Sequence, residues 1–291
     1  MLILKKKKTI ALMALMLLLC TLLGCGASKA EKETIKENRA LLKQSILEKA
    51  SEYTVLSLSE ITPFEWDKVY IFPAYATSGY MYGKVGYFWD KIPYIVTHET
   101  MMQIVFMNEG RVVCFIYGDN QSYDDEYNVG YGFYSYEEEL LASDDPKFVV
   151  SDLSSDYVGP TLSWFDESLI DPEQFNDIPE AIVGEWGYWI QGNGSLSFVL
   201  TKEGLVTGDL SYNGTKEHEG GGGTYIIGTF DYDSGIAHCR TYPYEDVEFD
   251  IAFNGTDQFK LNVDFSEELD FHYMDGVPVD MDGEIIIEKL D

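Results

Sequence analysis

The sequence predicts an α+β N-terminal domain followed by an all-β antiparallel meander barrel. The first part is indicated by residues 31–50, which contain neither Gly nor Pro, and by two apolar runs, 101–106 and 111–117, that flank Asn108-Glu109-Gly110. The second part is indicated by Asn-Gly and Asp-Gly pairs that recur between alternating apolar and polar residues. A hydrophobic content of 45% supplies enough apolar surface for both cores.

The chain begins like a secretory signal peptide. Lys5 to Lys8 precede an apolar run of 14 residues, from Ile10 to Leu23. A basic segment followed by roughly 7–15 apolar residues is typical of a signal peptide, whereas a membrane-spanning helix needs about 20. An uncleaved N-terminal anchor and an ordinary signal peptide cut at Ala27 are the alternatives.

The apolar run ends in Leu22-Leu23-Gly24-Cys25. This tetrapeptide resembles the lipobox of bacterial lipoproteins. The resemblance implies that cleavage follows Gly24 and that Cys25 carries a diacylglyceryl thioether. A lipid on Cys25 would attach the protein to the outer face of a bacterial cell membrane without a transmembrane helix, because two acyl chains give stable anchoring.

Charge is distributed unevenly along the rest of the chain. Residues 26–50 contain six Lys or Arg against four Asp or Glu, a net charge of +2, and residues 51–291 contain 10 against 46, a net charge of −36. Such an acidic body is repelled by nucleic acid and by anionic lipid head groups. We therefore exclude nucleic-acid binding. The charge serves either solubility or attraction to cations or to a basic protein.

Residues 31–50 are predicted to form a helix of about 30 Å that separates the membrane from the body. Its apolar stripe consists of Ile35, Leu42 and Ile46. After it, 66–73 is rich in aromatic and β-branched residues and predicts a strand, and Thr77 or Ser78 predicts the cap of a short helix that runs through Val85. The Trp66-Asp67-Lys68-Val69-Tyr70 strand followed by a hairpin resembles uncharacterised Gram-positive lipoproteins, which brings no known activity.

The C-terminal pattern predicts the barrel. Asn-Gly pairs at 193–194, 213–214 and 254–255 favour tight hairpins, because both residues tolerate positive φ. Between such turns apolar and acidic residues alternate, as expected for one buried and one wet face. Closing the sheet removes its exposed edges. The candidate lumen residues are Phe249, Ile251, Phe259, Leu261 and Phe271.

Gly184-Glu185-Trp186 stands at the start of this region. The triplet is similar to the Gly-x-Trp of lipocalin-like barrels, in which the tryptophan packs across one end of the barrel. The resemblance implies that role for Trp186. Lys289 stands near the last strand, where those proteins carry an arginine.

Motifs for catalysis and metal binding are incomplete. His98-Glu99 begins a zinc-protease motif, but position 102 is Met. Cys114 lies in the apolar run 112–116, which favours two separate buried thiols at Cys114 and Cys239, with a disulfide as the alternative. Acidic residues 124–126 and 280–283 offer oxygen ligands for calcium, but 280–283 does not fit an EF-hand. We predict no catalytic residue, no cofactor and no specific metal site.

The predicted organisation therefore has five parts. They are a signal peptide at 1–24, a lipid anchor and helical spacer at 25–50, an α+β domain at 51–151, a linker or covering segment at 152–178, and the barrel at 179–291. We expect a non-enzymatic surface lipoprotein with a binding or interaction role. The alternatives are a carrier of a small apolar ligand in the barrel and a cell-envelope hydrolase with unrecognised carboxylate chemistry.

Overall fold

The structure is a computed structural model of the chain and describes residues 27–290 with several gaps. The gaps are 74, 91, 93–100, 119–128, 136–137, 152–158, 191–193, 213–221, 243–247, 256–257 and 263–284. The signal peptide, Gly24 and Cys25 lie outside the described residues. So do Phe271 and the acidic segments 124–126 and 280–283.

The described residues form helices, two open sheets and a barrel. The elements are α1 (Lys29–Lys49), β1 (Thr54–Ser57), α2 (Leu58–Ile61), β2 (Lys68–Phe72), α3 (Ser78–Val85), β3 (Met102–Asn108), β4 (Arg111–Gly118), β5 (Gly132–Tyr134), β6 (Glu139–Leu141), β7 (Lys147–Ser151), β8 (Thr161–Trp164), β9 (Gly184–Ile190), β10 (Gly194–Leu200), β11 (Leu205–Tyr212), β12 (Gly222–Asp231), β13 (Ile236–Tyr242), β14 (Glu248–Phe253), β15 (Gln258–Asn262) and β16 (Ile285–Lys289). Short 3-10 turns occur at Ala50–Glu52, Ala142–Asp144, Glu167–Leu169 and Pro172–Gln174.

Helix α1 packs into the body instead of standing apart from it. It begins at a capping box, in which Ser28 Oγ accepts from Glu31 N at 3.1 Å and Ser28 N donates to Glu31 Oε2 at 3.4 Å. Its buried stripe is the predicted one, Ile35, Leu42 and Ile46. Asn38 Nδ2 donates to Val113 O at 2.9 Å and joins the helix to β4. The expected spacer at 25–50 is thus corrected, because an apolar stripe of this kind is buried against a sheet.

Sheet A contains β4, β3, β2 and β6 in that order, and all its strands are antiparallel. The predicted hairpin is confirmed, since Glu109 (φ 49°) and Gly110 (φ 75°) connect β3 and β4 in left-handed conformations. The predicted short helix is also confirmed. Thr77 Oγ1 accepts from Tyr80 N at 3.3 Å, and Gly86 ends α3. One face of sheet A packs against α1 and sheet B, and the other against α3.

Sheet B contains β1, β7, β8 and β5 in that order, and β5 runs parallel to β8. Strand β8 comes from the segment 152–178, for which a linker or covering segment was expected. Thr161 and Leu162 are fully buried in it. A four-residue strand beside Pro160 is too short to show a period in the sequence.

Strands β9 to β16 form a closed antiparallel barrel, as predicted. Each strand pairs with the next, and β16 pairs with β9 through Lys289 and Trp186. In β14, Phe249 and Ile251 are buried, whereas Glu248 and Asp250 are exposed. The alternation therefore separates an apolar interior from a wet exterior on this side of the barrel.

On another side of the barrel, the outward-facing side chains are buried. Outward residues of β10 to β13 pack against sheet B and the segment that follows β8. The buried contributors are Val149, Phe165, Val199, Leu205, Ile227 and Tyr242. Glu203, in the turn before β11, accepts hydrogen bonds from Thr54 Oγ1 at 2.5 Å and from Val55 N at 3.2 Å. Sheet B and the barrel thus form an apolar interface, with the hydrogen bonds of Glu203 at its edge.

The two described cysteines are buried free thiols. Cys114 belongs to the core between sheets A and B, and Cys239 to the core of the barrel. Burial raises the pKa of the Cys114 thiol to about 12, so this side chain stays protonated and unreactive. The prediction of two separate buried thiols is confirmed.

Candidate functional site

Trp186 lies where β9 begins and β16 ends, and its side chain is 1% exposed. Its Nε1 donates to Ile182 O at 2.9 Å, and its ring meets the Phe259 ring edge-on at a centroid distance of 4.7 Å. Lys289 Nζ lies 5.8 Å from the indole centroid and donates to Ala181 O at 3.0 Å. The indole and the lysine lie together where β9 and β16 pair, with a cation–π contact between them.

The described part of the barrel interior is a packed core. Three of the candidate lumen residues, Phe249, Ile251 and Phe259, belong to one buried cluster. Phe259 contacts the rings of Phe198 and Phe230 at centroid distances of 5.5 and 5.6 Å. The side chain of Leu261 and the whole of Phe271 lie outside the described residues. Side chains alone can fill the interior of a small eight-stranded barrel.

A groove of about 410 Å³ lies outside the barrel, between its wall and sheet B. We call it the wall groove. Its characteristic residues are Trp164, Glu185, Val199, Asp209, Tyr225 and Tyr242, and several hydroxyls, including Ser163 and Ser197, lie among them. The volume is at the lower end of the range for small-molecule sites, roughly 300–1,000 Å³.

The barrel register explains why these side chains meet. Ser197 pairs with Asp209, Asp209 with Tyr225, and Tyr225 with Tyr242, so one row runs across four neighbouring strands. Neighbouring strands are about 4.8 Å apart, so side chains in such a row touch. Glu185 lies two positions along the strands, in the next row, where its pairing partner is Val199.

Asp209 has an unusual carboxyl group. Its side chain faces the open groove and is accessible to water, but protein surrounds the carboxyl on most sides. The resulting loss of solvation raises its pKa to about 6. Burial also raises the pKa of Tyr242, the Thr207 hydrogen bond opposes this rise, and the charge of Asp209 adds to it. Near neutral pH the groove therefore holds a water-accessible carboxylate beside a neutral phenol.

The groove is acidic and aromatic. The side chain of Glu185 is 7% exposed, and Tyr225 and Tyr242 lie with their ring centroids 5.9 Å apart. Among the described residues that line the groove, none is Lys, Arg or His. This combination offers flat apolar surfaces and negative charge to a bound molecule.

The sequence reasoning did not find this groove. In the sequence, Glu185 belongs to the triplet around Trp186, and Asp209 and Tyr242 belong to no motif. One local signal exists, because Val199 is an apolar residue at an outward position of β10. Such a break in alternation indicates that something covers the strand.

The described residues show no metal centre. Within them, no group of three or more His, Cys, Asp or Glu side chains has a metal-binding arrangement. His238 Nδ1 lies 2.7 Å from Asp250 Oδ1, but both are exposed on neighbouring strands of the barrel exterior. Exposed pairs of this kind contribute little to stability.

Comparisons with protein-family models, with curated proteins and with solved structures found no match. Among the described residues, no helix combines the length and the apolar character needed to cross a membrane.

Proposed function

We propose that this chain is a lipid-anchored binding protein on the outer face of a bacterial cell membrane, and that it binds its partner in the wall groove without catalysis. The observation that carries the binding role is the groove itself, which is acidic, aromatic and flanked by two folded parts. The signal-like start and Cys25 support the anchor.

The finer fold assignment is part of the same proposal. We treat the barrel as lipocalin-like and the helices with sheets A and B as an α+β unit beside it. The first assignment is supported by the buried Trp186 in β9, whose indole lies beside Lys289 of β16. The packing of α1 and α3 on sheet A supports the second.

The barrel interior offers less support for a carrier of small apolar molecules. Phe249, Ile251 and Phe259, which were expected to line a lumen, fill space in a buried cluster instead. A ligand there would have to displace rings that already contact one another. The wall groove is already open and needs no such rearrangement.

Lipid anchoring predicts a clear fractionation result. The full chain should sediment with membranes, and Cys25→Ala should release it, because without the thioether no acyl chain holds it. Cys20→Ala is the matched control, since Cys20 lies within the segment that is removed. Retention of Cys25→Ala in the membrane fraction would show that an uncleaved segment is the anchor.

The chemistry of the groove favours a cationic ligand with apolar flanks. A positive group beside Asp209 would stabilise its ionised form, and the rings of Tyr225 and Trp164 would contact the apolar parts. The hydroxyls could satisfy polar groups of an extended chain. A peptide segment with Lys or Arg between apolar side chains matches these requirements.

Three capped peptides test this: acetyl-Phe-Lys-Phe-amide and its glutamine and glutamate counterparts, titrated calorimetrically into the purified protein. The lysine peptide should bind most tightly. Its advantage should develop as pH rises through about 6, the pKa of Asp209, because a cation binds the ionised carboxyl and displaces a proton. Glu185 also lines the groove, Asp166 acts on Tyr242 only through its charge, and Tyr242 stays neutral in this range.

The Asp209→Asn variant should bind the lysine peptide about tenfold more weakly and without the pH step, since a charge-assisted hydrogen bond contributes ~1.5 kcal/mol. Asp233→Asn, in an exposed turn, makes the same change in net charge and should bind normally. Equal binding of the lysine and glutamine peptides would refute the cationic ligand.

Hydrolysis is the second candidate, and one observation favours it. A carboxyl with a raised pKa shares a groove with a second carboxyl, Glu185, as in many acid–base sites. Turnover of a cell-wall polymer or of a bound peptide, abolished by Asp209→Asn, would replace the binding role with this one.

A further inference from the structure

The connection between the proposed anchor at Cys25 and the folded body is very short. Only Gly26 separates Cys25 from Ala27, and Ala27 packs against the cluster between sheet A and α3. Two residues of extended chain reach about 7 Å at most. If Cys25 carries lipid, the surface around the start of α1 must lie at the level of the lipid head groups.

The direction of α1 is fixed at this point. Glu31, in the first turn, accepts a hydrogen bond from Tyr87 Oη, and its Oε2 lies 4.0 Å from Arg111 Nη1. Val112 N donates to the same Tyr87 oxygen at 2.8 Å. The helix therefore keeps one orientation relative to sheet A, so a single flank of it can face the membrane.

One flank of α1 is basic. Lys29, Lys32, Lys36 and Lys43 follow one another at intervals of 3, 4 and 7 residues, which places them along the same side of a helix. The row is about 21 Å long. Lys32 pairs with Asp90 at 2.9 Å. Lys29, Lys36 and Lys43 form no ion pair with any residue that the structure describes.

Acidic residues outnumber basic ones by 50 to 20 in this chain, so a helix flank that carries four lysines and one ion pair is a local concentration of positive charge. These lysines lie on the helix that follows Cys25 in the sequence, in a protein whose remainder is repelled by anionic lipid, and they indicate an opposite charge outside the chain. Each lysine near an anionic leaflet strengthens attachment roughly fivefold.

We infer that this lysine flank of α1 lies against anionic phospholipid head groups, so that the body rests on the membrane along α1 instead of standing away from it. The inference rests on the proposed anchor at Cys25. It adds an orientation that the anchor alone does not give.

Lysine footprinting on vesicles tests the inference with the full lipidated chain. The protein is reconstituted in phosphatidylcholine vesicles with or without phosphatidylglycerol, floated with them, and treated with acetic anhydride. Mass spectrometry then gives the acetylation rate of each lysine. Lys29, Lys36 and Lys43 should react several-fold more slowly on the anionic vesicles, whereas Lys147 and Lys202 should react equally on both.

Two combined variants provide a further test, in which the acetylation rate of Lys32 is measured. Combined K29Q, K36Q and K43Q should abolish the lipid-dependent protection of Lys32. Combined K147Q, K202Q and K260Q lower the net charge equally and should preserve it. If the protein floats with both kinds of vesicle and the flank lysines are acetylated equally on both, the proposed orientation of α1 is wrong and the anchor is unaffected. Protein that does not float overturns the anchor and, with it, this inference.

Discussion

Replacing Trp186 by alanine is expected to lower the free energy of unfolding of the barrel by about 3–5 kcal/mol. The indole is 1% exposed, contacts Phe259, and donates its N–H to Ile182 O. Its loss leaves a cavity at the end of the barrel and removes the ring under Lys289. Urea unfolding followed by near-ultraviolet circular dichroism measures the change.

Trp186→Phe separates packing from hydrogen bonding. Phenylalanine keeps an aromatic ring against Phe259 but leaves Ile182 O without its donor, so we expect about 1–3 kcal/mol of destabilisation. A loss below about 1 kcal/mol for the alanine variant would mean that Trp186 does not close a packed barrel.

Gly208→Ala is expected to destabilise the barrel by at least about 1–3 kcal/mol. A Cβ atom at Gly208 would lie 2.0 Å from Ser197 O and 2.5 Å from Phe198 Cα. Both neighbours are backbone atoms of β10, so no side chain can rotate away, and β10 and β11 must separate. Because β11 also carries Asp209, we expect weaker peptide binding in the wall groove as well.

Gly83→Ala is the matched control. Gly83 lies in α3, and no atom lies within 4 Å of an added Cβ. Alanine in a helix interior should stabilise by about 0.5–1 kcal/mol. Opposite signs for the two glycine variants, measured by thermal unfolding, would establish steric contact as the cause. Equal effects would contradict the close approach of β10 and β11.

Much of the fold follows from local patterns in the sequence. The β3–β4 hairpin, the cap of α3 at Thr77 and the alternation of β14 depend on residues a few positions apart. A turn needs particular backbone angles, and a strand in a half-buried sheet needs every second side chain to be apolar. These requirements are visible in a sequence without any knowledge of distant contacts.

The anchor region is also a matter of sequence alone. The lysines, the apolar run and Leu22-Leu23-Gly24-Cys25 predict a signal peptide and a lipid anchor from sequence alone, and residues 1–26 lie outside the described structure. Their assignment depends on the fractionation result.

Only the tertiary structure decided what covers each apolar face. The stripe of α1 predicts burial, but not that β4 provides it, and the expected spacer was wrong for this reason. Strand β8 has too few residues for a period, and only its pairing with β7 and β5 defines it.

The wall groove depends on tertiary structure for the same physical reason. Trp164, Glu185, Asp209 and Tyr242 are far apart in sequence and meet only because sheet B packs against the barrel. The raised pKa of Asp209 also depends on tertiary structure, since nearby protein reduces the solvation of a carboxyl that still faces the open groove. A local pattern determines which side of a strand is apolar, whereas the shape and charge of a site depend on long-range contacts.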